Sequence, residues 1–282
     1  ARLVTAVAAG GAAANVGNTA TNGNDIQPFF IPDSTGAKVL VFTNTNSTAK
    51  VYTVSGGAST TISTNVNGGF LSDDGNTIYF HTTANAFKKA ATNAGNNPTA
   101  TTLIATDLGE LDVSKDKSHF VYASQTPAGG GSGELTIFDL QLADTTTANQ
   151  TPVALDATVT GLPGGFTADN MYVAYMTDLT TTNPVGKLRI RPVAAGGAEK
   201  VVSSTAAAPR TMPAGSKVLF LDNLMPSGMS VTADVKVVDA AGAGTTSSLV
   251  ADATNADFEI AGTKIVFTRS GANAGIWAAD VP

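Results

Sequence analysis

The chain has no cysteine, which excludes disulfides, thiolate zinc sites and cysteine nucleophiles. Charge is scarce as well. Asp, Glu, Lys and Arg together make up 13% of the 282 residues, and only four residues are Glu. Thr, Val and Asn stand where strong helix formers would be needed, so long helices are not expected. Basic residues cluster nowhere beyond Lys88-Lys89 and the net charge is −6, which argues against nucleic-acid binding through phosphate neutralisation. No run of 18 apolar residues occurs, so no membrane-spanning helix is expected. The apolar start, 1–10, carries no basic leader of the signal-peptide kind. His81 and His119 are the only histidines, too few for a histidine-rich metal site.

What the chain does have is a phrase that recurs six times. A turn rich in Asp, Gly, Asn or Lys precedes a short apolar run: Lys38-Val-Leu-Val-Phe42, Thr77-Ile-Tyr-Phe80, His119-Phe-Val-Tyr122, Tyr172-Val-Ala-Tyr175, Lys217-Val-Leu-Phe220 and Lys264-Ile-Val-Phe267. The aromatic positions Phe42, Phe80, Tyr122, Tyr175, Phe220 and Phe267 are 38, 42, 53, 45 and 47 residues apart. A period of that length with four strands per unit predicts the blades of an all-β, six-bladed β-propeller forming a single domain over 1–282. The blades map to 25–64, 65–106, 107–156, 157–204, 205–251, and 252–282 completed by 1–7. The last blade lacks its outermost strand, and Arg2-Leu3-Val4-Thr5-Ala6 resembles the outer strands Ser248-Leu249-Val250-Ala251 and Thr102-Leu103-Ile104-Ala105. The opening strand is therefore expected to close the ring beside the segment of Trp277, hiding both edges.

The phrase Leu71-Ser72-Asp73-Asp74-Gly75-Asn76-Thr77-Ile78-Tyr79-Phe80 resembles the repeat of the TolB-like propeller family, and Ile31-Pro32-Asp33-Ser34-Thr35-Gly36 is similar with an insertion. Later copies keep the apolar positions and mostly lose the Pro-Asp-Gly core, as in Ser114-Lys115-Asp116-Lys117 and Thr167-Ala168-Asp169-Asn170. The resemblance implies the propeller fold. By analogy it implies a ring that binds partner proteins or gates a peptidase, although no peptidase domain is present in this sequence.

Site expectations follow from the blade map. Long connections at 125–133, 178–186 and 222–233, with 10–24, fall on one face, which is expected to carry binding. Residues starting the innermost strands ring the channel mouth: Asp25, Glu110, Asp112, Arg210, Asp257 and Glu259. Such carboxylates with one arginine suit a cation such as calcium, or simply solvate the mouth; no other cofactor is expected. Met225 and Met229 lie in an expected loop and either offer an adaptable contact surface or are buried as the loop folds down over the channel. Asp73-Asp74-Gly75-Asn76 reads as a hairpin turn rather than a metal loop, and Trp277 as packing between blades.

No G-x-S-x-G elbow occurs, and only Arg210 of the five arginines points toward the mouth. The expected function is a non-enzymatic scaffold that presents loops to a protein or polysaccharide partner. The alternatives are a self-associating subunit of an extracellular assembly and a carbohydrate-binding or glycosidase-like propeller. The Thr/Asn/Gly-rich, Lys/Glu-poor composition points to an exported bacterial protein, periplasmic or extracellular.

Overall fold

The computed structural model describes the chain except residues 1, 4–13, 16–25, 44–46, 56–58, 107, 130–136, 156–159, 180–184, 195–196, 228–229 and 271–273. For Glu110 and some other strand residues it describes the backbone alone. The described residues form antiparallel strands and turns with no α-helix, as a Thr- and Val-rich chain with few helix formers should. The chain divides into two compact units, 1–108 with 146–151, and 109–145 with 152–282.

In the first unit, β1 (Arg2–Leu3) pairs with β2 (Ala14–Asn15). Two four-stranded meanders follow. One is β3 (Ile26–Pro32), β4 (Lys38–Thr43), β5 (Thr48–Thr53) and β6 (Thr60–Ser63); the other is β7 (Val66–Leu71), β8 (Thr77–Thr82), β9 (Phe87–Ala91) and β10 (Thr101–Ile104). Leu40, Phe42, Val51, Leu71, Ile78 and Phe80 pack into one cluster. Burying side chains of that size contributes roughly 1.5–3 kcal/mol each.

The second unit is one continuous antiparallel sheet. Its strands are β11 (Leu108–Val113), β12 (His119–Gly129), β13 (Ile137–Asp144), β14 (Val153–Ala154), β15 (Thr160–Phe166), β16 (Tyr172–Thr177), β17 (Gly186–Pro192) and β18 (Lys200–Thr211). They continue as β19 (Lys217–Ser227), β20 (Ser230–Asp239), β21 (Thr246–Ala261), β22 (Lys264–Arg269) and β23 (Gly275–Asp280). Continuity comes from the pairing of β13 with β15 at Phe138–Gly161 and Asp139–Thr160, and from β18 and β21, each of which pairs outward in its first half and inward in its second. A register shift divides the halves, near Ala208 (φ 46°) in β18 and near Asp252 (φ 57°) in β21. The outer strand of one meander thus becomes the inner strand of the next without a loop.

Each of the six recurrent phrases begins at a turn of one design. The residue three places into the turn has positive φ: Gly36, Gly75, Lys117, Asn170, Gly215 and Gly262. The carbonyl of the next residue, at 37, 76, 118, 171, 216 and 263, accepts the amide that follows the third strand. In three turns a hydroxyl and an aspartate complete the device. Ser72, Ser114 and Thr167 donate to Asp74, Asp116 and Asp169 at 2.6, 2.7 and 2.6 Å, and accept the amides of Thr77, His119 and Tyr172. The loss of the Pro-Asp-Gly core in the third and fourth copies is therefore only apparent, because the working pattern is Ser/Thr-x-Asp. Neighbouring turns are also joined: Lys38 Nζ donates to Gly75 O at 3.0 Å and Thr92 Oγ1 at 2.9 Å.

One expectation lies largely outside the described residues and another needs correction. Of the strand 1–7 expected to close the ring, Arg2–Leu3 pair with Ala14–Asn15, and residues 1 and 4–7 lie outside the described residues. The connections 125–133 and 222–233 are not plain loops. Each is largely a hairpin extension, with Pro127 opposite Phe138 and Met225 opposite Thr232.

Candidate functional site

The inner strands of the second unit bring Asp112 of β11 against the Pro163-Gly164-Gly165-Phe166 segment of β15. Gly165 has φ +100°, and a Cβ there would stand 2.9 Å from Asp112 Oδ2. Only glycine allows both that conformation and that approach. The carboxylate accepts the backbone N–H groups of Val113 and Phe166, yet burial outweighs these bonds and holds its pKa above the ordinary aspartate value. A recess of about 590 Å³ opens here, lined by Asp112, Lys115, Phe166, Thr167, Thr211 and Ile260 among others. It lies at the ends of the inner strands that lead into the Ser114 and Thr167 turns, not at the face of the long connections where binding was expected.

A second group forms where β18 and β21 meet. Arg210 donates to Asp257 Oδ1 at 3.0 Å and to the Phe258 carbonyl, lies 3.4 Å from Glu259 Oε2, and stacks 5.0 Å from the Phe258 ring centroid. Three of the residues expected at a common mouth are thus in contact, while Asp112 sits in the separate recess. Glu110 lies on β11 with its side chain outside the described residues, and Asp25 and Met229 lie outside them altogether. Met225 is on β19 rather than in a loop, with 64% of its surface exposed. Among the described residues no three His, Asp or Glu side chains are placed to hold a metal ion.

The remaining singled-out residues separate by environment. His119 Nδ1 lies 2.8 Å from Ser118 Oγ, and burial lowers the pKa of His81 on β8. Trp277 lies on β23 opposite Phe267, with the Arg269 guanidinium 5.7 Å from its ring. Two polar networks could not be foreseen from spacing. Asp222, 7% exposed, accepts Lys236 at 2.7 Å and Thr205 Oγ1 at 2.6 Å. Tyr175, fully buried, donates to Glu199, which also holds Arg189. Their members are 10 to 31 residues apart in sequence, and no local motif links them.

No protein-family model matches the chain, and no curated protein matches it in sequence. Solved structures do resemble it. A structure of oligogalacturonate lyase in complex with manganese superposes with TM-score 0.54 at 14% identity, covering 86% of this chain and 71% of that one. Prolyl oligopeptidase B from Galerina marginata gives 0.53 at 11%, covering 86% of this chain and 40% of that one. The tricorn protease gives 0.51 at 11%, covering 88% and 29%. At such identities the likeness carries the fold: all-β and propeller-like. Membership of the TolB-like family finds no matching family model. The expectation of a non-enzymatic scaffold is overturned, because the solved folds that this chain resembles belong to a lyase and to peptidases.

Proposed function

We propose that the chain is a six-bladed, propeller-built enzyme that cleaves glycans, with Asp112 as its proton-transferring carboxyl. The observation that carries this reading is the Asp112 recess: a carboxyl beside an opening of about 590 Å³, held by two backbone amides and pushed toward its protonated form by burial. A carboxyl raised in that way is suited to giving its proton to a departing oxygen as the bond to that oxygen breaks. Lys115 and Thr211 line the same recess with donors for hydroxyl-rich chains. Comparison with the lyase favours glycans over peptides. This chain spans 71% of that protein and only 29% and 40% of the two peptidases. Six turns of one design support six blades. An exported location agrees with a polymer substrate outside the cell.

The test is a screen of neutral and uronic oligosaccharides with the intact chain and with Asp112→Asn. New reducing ends without a new ultraviolet chromophore indicate hydrolysis, and both together indicate elimination. Turnover that disappears in Asp112→Asn supports the reading. No turnover of any glycan, or full turnover in the variant, would overturn it.

A further inference from the structure

β23 ends the sheet of the second unit, and among the described residues it pairs on one side only, with β22. Its other side offers backbone N–H and C=O groups as a template for a further strand. The side chains point the same way. Ile276 is 80% exposed and Trp277 43%, and of the six residues only Ala279 is partly buried. The usual protections of an open edge are missing. The strand has no lysine and no proline, and its ladder with β22 runs from Gly275 to Asp280 without a bulge.

We propose that a second copy of this chain covers this edge, β23 against β23 in antiparallel, about a twofold axis at Trp277. The strand is complementary to itself in that register. Phe267, Trp277 and Ala279 share one face of the β22–β23 pair, and Val266, Ile276 and Ala278 share the other, because opposed residues point the same way. A twofold axis through the sheet keeps like faces together. With Trp277 opposite its counterpart, Ile276 meets Ala278 on both sides of the axis and Gly275 meets Ala279. Outside the central indoles, each larger side chain thus faces a small one. A row of four aromatics, Phe267 and Trp277 from each copy, then crosses the seam. A shift of two residues one way sets Ile276 against the charged Asp280, and the other way leaves only residues 275–277 paired.

Charge permits the contact. Asp280 is the only charged residue of the strand, and Lys264 holds it at 2.5 Å. Arg269 lies over the rings of Phe267 and Trp277, 5.5 and 5.7 Å from their centroids, so it caps the aromatic row. No like charges meet at the seam, although each chain carries −6. Size sets the strength. Six residues a side fall far short of the roughly 20–30 of a standard interface, so the dimer is weak and reversible, with a Kd of about 10–1,000 μM.

The test is sedimentation equilibrium of the intact chain from about 5 μM to about 1 mM. The mean mass should rise with concentration toward two copies and no further. Ile276→Lys, at an exposed position that leaves the fold intact, should weaken the dimer at least about ten-fold, and so should Ala278→Glu. Mixing the two variants should restore pairing, because the register sets Lys against Glu across the seam. A chain that stays monomeric throughout, a mass that grows past two copies, full dimerisation in Ile276→Lys, or a mixture that does not recover would each overturn the proposal. Dimers that appear only after residues 1–7 are removed would overturn it too, by showing that the opening strand already occupies the edge. Mass rather than turnover is read, so the outcome is independent of the cleavage reading.

Discussion

Asp33 and Gly75 meet across two neighbouring turns: a Cβ on Gly75 would stand 2.6 Å from Asp33 Oδ2. Gly75 also has φ +67°, while Gly36, in the same place of the preceding turn, has open space around its Cβ direction. Gly36→Ala should therefore cost only the left-handed backbone term, about 1 kcal/mol. Gly75→Ala should cost about 2 kcal/mol or more, because it also displaces Asp33 and the Lys38 bond to the Gly75 carbonyl. Denaturant midpoints of the two variants check the ordering, and equal losses would contradict it.

The Asp222–Lys236 pair predicts an acid limb. Burial pushes the Asp222 carboxyl up, but its bonds from Lys236, Thr205 and the Asn223 amide together outweigh this and leave its pKa below the ordinary value. The stability it contributes is present above the unfolded aspartate pKa, about 3.9. It is lost as pH falls through the lower folded value. Asp222→Ala, which strands Lys236, should cost about 3–5 kcal/mol near neutral pH. It should also flatten the acid dependence of the melting temperature.

Tyr175 predicts the opposite limb. Burial comes first, then the bond and charge of Glu199, and together they raise the phenol's pKa well above the ordinary tyrosine value. Its contribution is full below the unfolded tyrosine pKa, about 10, and is lost as pH rises toward the folded value. An ultraviolet titration should show one tyrosine that ionises only as the protein unfolds, and Tyr175→Phe should remove that late step. The same substitution should cost about 1–2 kcal/mol, since Glu199 loses a donor.

Asp112 sets a pH profile for the proposed cleavage. As the acid it must be protonated, so kcat/KM should fall as pH rises through its elevated pKa. Gly165→Ala, which pushes the carboxylate off the Phe166 amide and toward water, should move that fall to lower pH and reduce kcat more than it alters KM. An unchanged profile in Gly165→Ala would show that the close approach does not position the acid.

Much of the architecture was legible in the chain. Lys38–Thr43, Thr77–Thr82, Tyr172–Thr177 and Lys264–Arg269 are strands that begin where the repeated phrase begins and run one or two residues past its aromatic. They combine apolar alternation with a turn whose chemistry is local, and local chemistry is visible in sequence. The Ser/Thr-x-Asp device at Ser114 and Thr167 was visible too, but hidden behind the expectation of Pro-Asp-Gly. The strand extents of β18 and β21 were not legible, because a bend without a loop leaves no Gly or Pro punctuation; Ala208 and Asp252 carry it instead.

By itself, the sequence determined the β architecture, the sixfold recurrence of its phrase and the exclusion of thiol chemistry, since each depends on composition or short-range pattern. Tertiary structure alone decided that Asp112 meets Gly165 and that Arg210 meets Asp257, Phe258 and Glu259. It alone decided, too, that the Thr254 hydroxyl is buried with no hydrogen-bond partner among the described residues. These relations join strands 47 to 53 residues apart, or arise from burial, and their strength depends on water being excluded between surfaces that only the folded sheet brings together.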